Sequence, residues 1–194
     1  MRKEKNFNLI ICGVGGQGQI TLLRVLSETA LIEKKNFKGA ETHGLSQRGG
    51  EVKVHFRMGK VFSPLVSQSE ADLILSLELQ ETLRALYYAN EKTRFLLNDK
   101  IIPIPGEEPL EKEKILKEIK KFSREIEIIE ASKICQERLG KEILAGIYLI
   151  SLACHKKLIP LKVQSLFLAI RKIIPQKYLE QNLKAFELAK NYKI

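Results

Sequence analysis

Two short segments gather the residues whose types and spacing could do chemistry. The first, Gly13-Val-Gly-Gly-Gln-Gly18, has the spacing G-x-G-x-x-G, directly after an apolar run and directly before a helical pattern. At such a strand-to-helix turn one glycine permits the tight bend, one lets backbone approach a ligand, and one allows helix and strand to pack closely. Gly13, Gly15, Gly16, Gln17 and Gly18 therefore form a loop whose N–H groups can approach an anion or a partner chain. A dinucleotide also wants an acidic residue at the end of a second strand, to hold ribose hydroxyls. Glu33 and Glu41 have suitable spacing, yet no clean apolar strand leads into either. A stand-alone nicotinamide- or flavin-binding oxidoreductase is accordingly the alternative reading.

The second segment is Glu41-Thr-His-Gly-Leu-Ser-Gln-Arg-Gly-Gly50. It is too rich in glycine and small polar residues for a helix or a central strand. Gly49 and Gly50 allow close backbone approach, while Arg48 offers a planar fork for a carboxylate or phosphate. His43, Ser46, Gln47, Arg48, Gly49 and Gly50 are the candidate contributors to a site. The plainer alternative is a connecting loop with a solvated arginine.

Other chemistries find no support. Cys12, Cys135 and Cys154 are odd in number and far apart, which encodes no disulfide framework, zinc site or iron–sulfur motif. Cys12 and Cys154 read as small buried hydrophobes. His43, His55 and His155 have no metal-ligand spacing, and His55 reads as a surface histidine on the polar side of a strand. His155 follows a helix end, where a cation suits the dipole. No Ser/His/Asp, H-E-x-x-H or P-loop lysine pattern occurs, so no catalytic set of its own and no metal site are expected.

The elements that must position these segments alternate along the chain. Phe7–Cys12 reads as a strand buried on both faces, and Gln19 to about Glu33 as a helix with Leu22, Leu23, Leu26 and Ala30 inward. Residues 51–58 alternate, with Val52, Val54, Phe56 and Met58 on one side and Glu51, Lys53, His55 and Arg57 on a wet or interfacial side. Ala71–Leu77 is a buried strand, Gln80–Ala89 a helix, Arg94–Leu97 a strand. A turn at Pro103 and Pro105 leads to a charged helix with Ile115, Ile119 and Phe122 inward, then a strand at Glu125–Ile129. Ala131–Cys154 reads as one long helix with Ile143, Ile147, Ile150 and Cys154 in a stripe. Pro160 opens another helix, bearing Val163, Leu166, Phe167, Ile170 and Ile173, which Pro175 ends. A last helix, from about Gln176 to Asn191, buries Leu179, Leu183 and Phe186. The alternation predicts a three-layer α/β architecture.

The 194 residues are 44% hydrophobic and 29% charged, ordinary globular material. No run of roughly 18 apolar residues occurs and the start lacks the pattern of a signal peptide, so a cytoplasmic protein without membrane contact is expected. The net charge of +10 invites a nucleic-acid reading. The lysines are interleaved with glutamates, however, and no basic stretch carries interspersed aromatics, so no nucleic-acid partner is expected.

Together and in this order, the two glycine-rich segments resemble the small subunit of indolepyruvate:ferredoxin oxidoreductases, within the 2-oxoacid:ferredoxin oxidoreductase family. The similarity continues through the 51–57 strand, Ser63-Pro64-Leu65, Ala71-Asp72, Leu77-Glu78, Asn98 and Asn182-Leu-Lys-Ala-Phe186. The chain departs from it at Lys141, Gly146 and Ser151. The resemblance implies one gamma-type domain over 1–194, a Rossmann-like, mostly parallel sheet in three layers, with C-terminal helices from about 131. It also implies a large partner subunit that holds thiamine diphosphate, magnesium and iron–sulfur clusters, with coenzyme A as co-substrate and ferredoxin reached through the complex. This chain would bind no cofactor alone and would be inactive by itself.

Overall fold

The computed structural model describes residues 6–44, 50–103 and 110–192. Six strands form one mixed sheet in the order β2-β3-β1-β4-β5-β6. Its parallel part is β1 (Phe7–Val14), β4 (Leu73–Ser76), β5 (Arg94–Asn98) and β6 (Ile126–Ile129). β2 (Phe37–His43) and β3 (Glu51–Met58) form an antiparallel wing on the other side of β1. β1 and β4 are almost wholly buried, as their continuous apolar runs require of strands covered on both faces.

Helices cover the two faces unequally. One face packs α1 (Gln19–Ile32), α4 (Ala131–Leu139), α5 (Ala145–His155), α6 (Val163–Ile173) and α7 (Gln176–Lys190) over Leu9, Ile11, Leu73 and Leu75. The other face carries α2 (Thr82–Ala85) and α3 (Lys112–Ile119) over Ile10, Cys12, Ile74 and Leu97. The expected three-layer, mostly parallel α/β sheet with a helical C-terminal part is the fold observed. No helix among the described residues is long and apolar enough to cross a membrane.

Several elements differ from the sequence reading. Strand β2 has no signature in the sequence: it is an exposed edge strand, so Lys38, Gly39, Glu41 and Thr42 carry no apolar alternation. The region 131–154 is two helices. Gly140 takes the left-handed conformation (φ 72°) that stops α4, a 3-10 turn at Glu142–Leu144 follows, and Ile143 points outward. Gln80–Ala89 yields only the short α2 and a 3-10 turn at Leu86–Tyr88. Pro160 does not open α6, whose N-cap is Lys162; the Pro160 carbonyl accepts a hydrogen bond from the Lys35 ammonium instead. Phe122, expected inward, lies beyond the end of α3 and is exposed, and Pro105 lies outside the described residues. In α7 the fully buried positions are Ala185, Phe186 and Ala189, with Leu179 and Leu183 at their edge.

Candidate functional site

All four parallel strands end on the same edge, at Val14, Ser76, Asn98 and Ile129. The helix after β1 lies on one face and the helix after β4 on the other, so the chain reverses its winding between these two strands. In open α/β sheets the crevice outside such a switch point is where ligands bind. The glycine turn sits there. Gly16 (φ 102°) and Gly18 (φ 86°) adopt conformations closed to most side chains, and they carry the chain from β1 into α1.

Gln17 folds back under the turn. Its Oε1 accepts the Val14 N–H (2.8 Å) and its Nε2 donates to the Leu77 carbonyl (3.1 Å). A Cβ on Gly13 would stand 2.5 Å from that Oε1, which explains a glycine at this place. Gln19 Nε2 donates to the Val14 carbonyl at 2.9 Å. Asn98, fully buried, donates to Leu77 O (2.9 Å) and Ser132 Oγ (2.8 Å), and its Oδ1 accepts the Ser132 N–H. The ends of β1, β4 and β5 are thus tied by side-chain amides.

The same edge receives the second glycine-rich segment. The Gly15 N–H donates to the Gly50 carbonyl at 2.9 Å, and Gly44 N–H to Glu51 O at 2.9 Å. The structure therefore brings Gly13–Gly18 and Gly50 together. His43 is the last residue of β2, not a loop residue, and its Nε2 stands 3.4 Å from Glu41 Oε1. Ser46, Gln47, Arg48 and Gly49 lie outside the described residues.

Beneath α2 the edge is closed by charged groups. Glu78 Oε2 accepts the Glu81 N–H (2.7 Å) and Oε1 the Ile102 N–H (3.0 Å). Burial pushes the Glu78 carboxyl above its ordinary value, against those hydrogen bonds and Arg84. Burial likewise raises Glu81, opposed by Arg84 and Lys53 and reinforced by Glu51 and Glu78. Arg84 lies 3.8 Å from both Glu51 and Glu81, and Lys53 pairs with Glu51 at 2.5 Å. The Cys12 thiol beside this cluster is pushed up to about 12 by burial, and the other two cysteines are also buried with raised values. All three cysteines are buried, in line with the expectation for Cys12 and Cys154.

His55 is a correction. It is only 1% exposed, because the 3-10 turn and the 59–72 segment cover the side of β3 that reads as wet. Its Nδ1 accepts the Val66 N–H (3.1 Å) and its ring meets Tyr88 edge-on at 5.2 Å. Burial, with Lys53 and Arg57 acting the same way, lowers it to about 4, so it is a neutral core histidine. His155, the last residue of α5, is also lowered, by burial and then Lys190 against Glu187, which disfavours the cation expected at this helix end.

Neither candidate ribose acid is at the crevice. Glu33 lies past the far end of α1, accepting the Lys162 N–H (2.6 Å) and pairing with Lys35 (3.1 Å). Glu41 is on the edge strand of the antiparallel wing, and the strand beside β1 there is antiparallel β3.

Sequence reading missed the space on the helical side of the turn. A cavity of about 140 Å³ lies between Gln17, Asn98, Ser132 and the start of α5. A groove of about 460 Å³ continues from it between α1, α5 and α7. The outward Ile143 and the missing side chain of Gly146 help form both, and periodicity assigned Ile143 to a buried stripe. Among the described residues no group of three or more His, Cys, Asp or Glu side chains could hold a metal ion.

An α/β protein with its functional edge at the carboxyl ends of a mixed sheet is the class these features define. The model of the family described as pyruvate ferredoxin/flavodoxin oxidoreductase matches residues 8–192, and the chain belongs to that family. It is 32% identical over 192 residues to the indolepyruvate oxidoreductase subunit IorB of Archaeoglobus fulgidus, covering 96% of this chain and 95% of the relative. The fold is similar to the keto/oxoacid ferredoxin oxidoreductase gamma subunit of Geobacter sulfurreducens (TM-score 0.67, 18% identity, 95% and 96% of the two chains). It is also similar to the 2-oxoglutarate:ferredoxin oxidoreductase of Magnetococcus marinus, with TM-score 0.70 and 16% identity. That match covers 96% of this chain but 31% of that one. The family resemblance read from the two glycine-rich segments is borne out, and the chain is a subunit of an oxidoreductase complex.

Proposed function

We propose that this chain is the small, cofactor-free subunit of a cytoplasmic, thiamine-diphosphate-dependent and ferredoxin-linked 2-oxoacid oxidoreductase acting on indolepyruvate or a related aryl pyruvate. The observation that carries the reading is the Gly15–Gly50 hydrogen bond, which joins both glycine-rich segments at the switch-point edge. The full-length similarity to an indolepyruvate oxidoreductase subunit supports the substrate class. In the reaction a 2-oxoacid and coenzyme A give acyl-coenzyme A, carbon dioxide and a proton, and two electrons pass singly to ferredoxin. The large subunit holds thiamine diphosphate, magnesium and the iron–sulfur clusters that perform this chemistry.

This chain's part is to close and shape the site. The turn Gly13, Gly15, Gly16, Gln17 and Gly18 offers backbone to the partner or to phosphates of coenzyme A. His43, Ser46, Gln47, Arg48, Gly49 and Gly50 contribute the neighbouring loop, with Arg48 as its anion-binding group. The whole of 1–194 acts as one gamma-type domain in this scheme.

Co-expression with the thiamine-dependent large subunit of the same organism tests the reading. A stable complex that reduces a low-potential acceptor only with an aryl pyruvate and coenzyme A is the expected result. Full activity of the isolated chain, or tight saturable binding of NAD(H), NADP(H) or FAD to it, overturns the proposal in favour of a stand-alone oxidoreductase. Within the complex, Arg48→Ala is expected to lower turnover at normal assembly; unchanged turnover returns that arginine to a solvated loop position.

A further inference from the structure

Two carboxylates on different elements share one cation. Arg84 on α2 stands 3.8 Å from Glu81, the N-cap of that helix, and 3.8 Å from Glu51, the first residue of β3. Both distances exceed a hydrogen bond. The guanidinium side chain is 54% exposed, so solvent screens each pair and neither carboxylate holds it alone. The Glu81 side chain is only 8% exposed. Its Oε2 is shut off from solvent with no hydrogen-bond donor among the described residues, and Arg84 Nε is the cation in reach of it.

Arg84 has a firm mount, because Glu78 fixes the start of α2 by accepting the Glu81 and Ile102 N–H groups. Glu51 sits instead where β3 begins. Its neighbour Gly50 accepts the Gly15 N–H one step beyond the last pair of the β1–β3 ladder, and the Glu51 carbonyl accepts the Gly44 N–H. The ends of a ladder open before its middle. Lys53 also pairs with Glu51, at 2.5 Å, but it belongs to the same strand and moves with it. Among the described residues, Arg84 is the cation that ties the Glu51 side chain to another element.

We infer that Arg84 is a positioning residue of the carboxyl edge: through Glu51 it holds the start of β3, and with it Gly50, against the glycine turn, in competition with Glu81. The competition makes the hold depend on protons. Burial raises Glu81, so this carboxyl keeps its proton to higher pH than an ordinary carboxylate. While it is neutral, Arg84 belongs to Glu51. Once ionised, Glu81 draws Arg84 to itself and repels Glu51. The other groups facing Glu81 are Lys53 on β3, which attracts it, Glu78 after β4, which repels it, and Cys12 on β1. Burial pushes the Cys12 thiol up to about 12, so it stays neutral throughout. The hold on Gly50 therefore slackens as pH rises through the range of Glu81. Its effect on turnover rests on the proposed function; its effect on Gly50 rests on this chain alone.

Heteronuclear NMR of the full chain, recorded in a pH series upward from 4.5, the ordinary value of a glutamate, tests the inference at the Gly15 amide. In wild type its proton resonance is expected to move upfield as pH rises, the direction of a lengthening hydrogen bond. Glu81→Gln holds it downfield at every pH. Arg84→Ala places it upfield at every pH, and Arg84→Lys, which keeps the charge, recovers part of the shift. Arg94→Ala, which breaks the exposed Arg94–Glu125 pair at the far end of β5, leaves Gly15 as in wild type. In the complex with the large subunit, Arg84→Ala is expected to lower turnover about tenfold, as misplaced site groups do, with Arg84→Lys intermediate. If Glu81→Gln fails to fold, the two Arg84 variants carry the test. A Gly15 resonance that ignores Arg84→Ala overturns the inference, and so does one that titrates equally in wild type and Glu81→Gln. The expected Gly15 shifts with unchanged turnover overturn the role of Arg84 in the reaction. A wild-type complex without activity overturns the proposed function and leaves the Gly15 resonance to decide the positioning of Gly50.

Discussion

The carboxyl edge of the sheet has two flanks that meet at the glycine turn. Beneath α2, Glu51, Glu78, Glu81, Lys53 and Arg84 are packed against one another, and backbone N–H groups of Glu81 and Ile102 are consumed by the Glu78 carboxylate. On the other flank a groove with Leu22, Ile147 and Ile174 on its wall opens at the exposed Ile143 and Tyr178. One flank pairs its charges and donors internally; the other leaves apolar side chains at the surface. Changes on the closed flank should therefore cost more stability than changes on the open one.

The largest expected effect is at Glu78. Glu78→Ala leaves the buried Glu81 N–H and the half-buried Ile102 N–H without their partner, a loss of about 3 kcal/mol in urea unfolding. A loss below about 1 kcal/mol would show that water takes over those donors and that this flank is not closed.

His55 gives an effect on the order of 3 kcal/mol, spread over pH. The folded ring titrates at about 4 against an ordinary 6.5, so between those values the unfolded chain binds the extra proton. The stability that depends on a neutral His55 is complete above pH 6.5 and is lost as pH falls toward 4. The raised Glu78 and Glu81 tilt the opposite way, favouring the fold less as pH rises through their range. They are common to wild type and His55→Gln, so the difference between the two proteins isolates the histidine. Parallel pH–stability curves for the pair would place that ring in contact with solvent.

Gln17→Ala removes the hydrogen bonds to Val14 and Leu77 where the flanks meet, with an expected cost of about 1–2 kcal/mol. Gln17→Asn is too short to span both partners and should fall near the alanine variant. Full stability in the alanine variant would mean that the turn holds its shape without the fold-back.

The smallest change in stability belongs to the open flank. Tyr178→Ser and Lys141→Glu should stay within about 0.5 kcal/mol of wild type in the isolated chain, as checked by thermal unfolding. A larger loss in either would make the groove part of the packed structure and erase the contrast between the flanks.

Which parts of this were readable in advance follows from how each residue is covered. β1, β4 and β5 are continuous apolar runs because helices cover both faces, and such runs announce themselves. β2 lies at an edge and keeps solvent on most of its side chains, so Lys38, Glu41 and Thr42 carry no periodic signal. His55 alternates like a wet residue, yet the segment 59–72 that follows β3 folds back with Tyr88 to cover it. Apolar spacing continues from Ala131 across Gly140 as it does in a single helix, a pattern that puts Ile143 inside. That position is at the rim of the groove, so the open flank could not be assembled from sequence. The glycine turn was legible because few other structures need Gly16 and Gly18; the fold-back of Gln17 was not, since a glutamine there looks like any loop residue.

The bond from Gly15 N–H to the Gly50 carbonyl carries the β1–β3 ladder, whose last pair is Val14 and Glu51, one step beyond the strands. Its amide proton exchanges with solvent when that last step opens. Deuterium uptake at Gly15, read in the free chain and in the complex, would thus record how often the two glycine-rich segments part and whether the partner stops it.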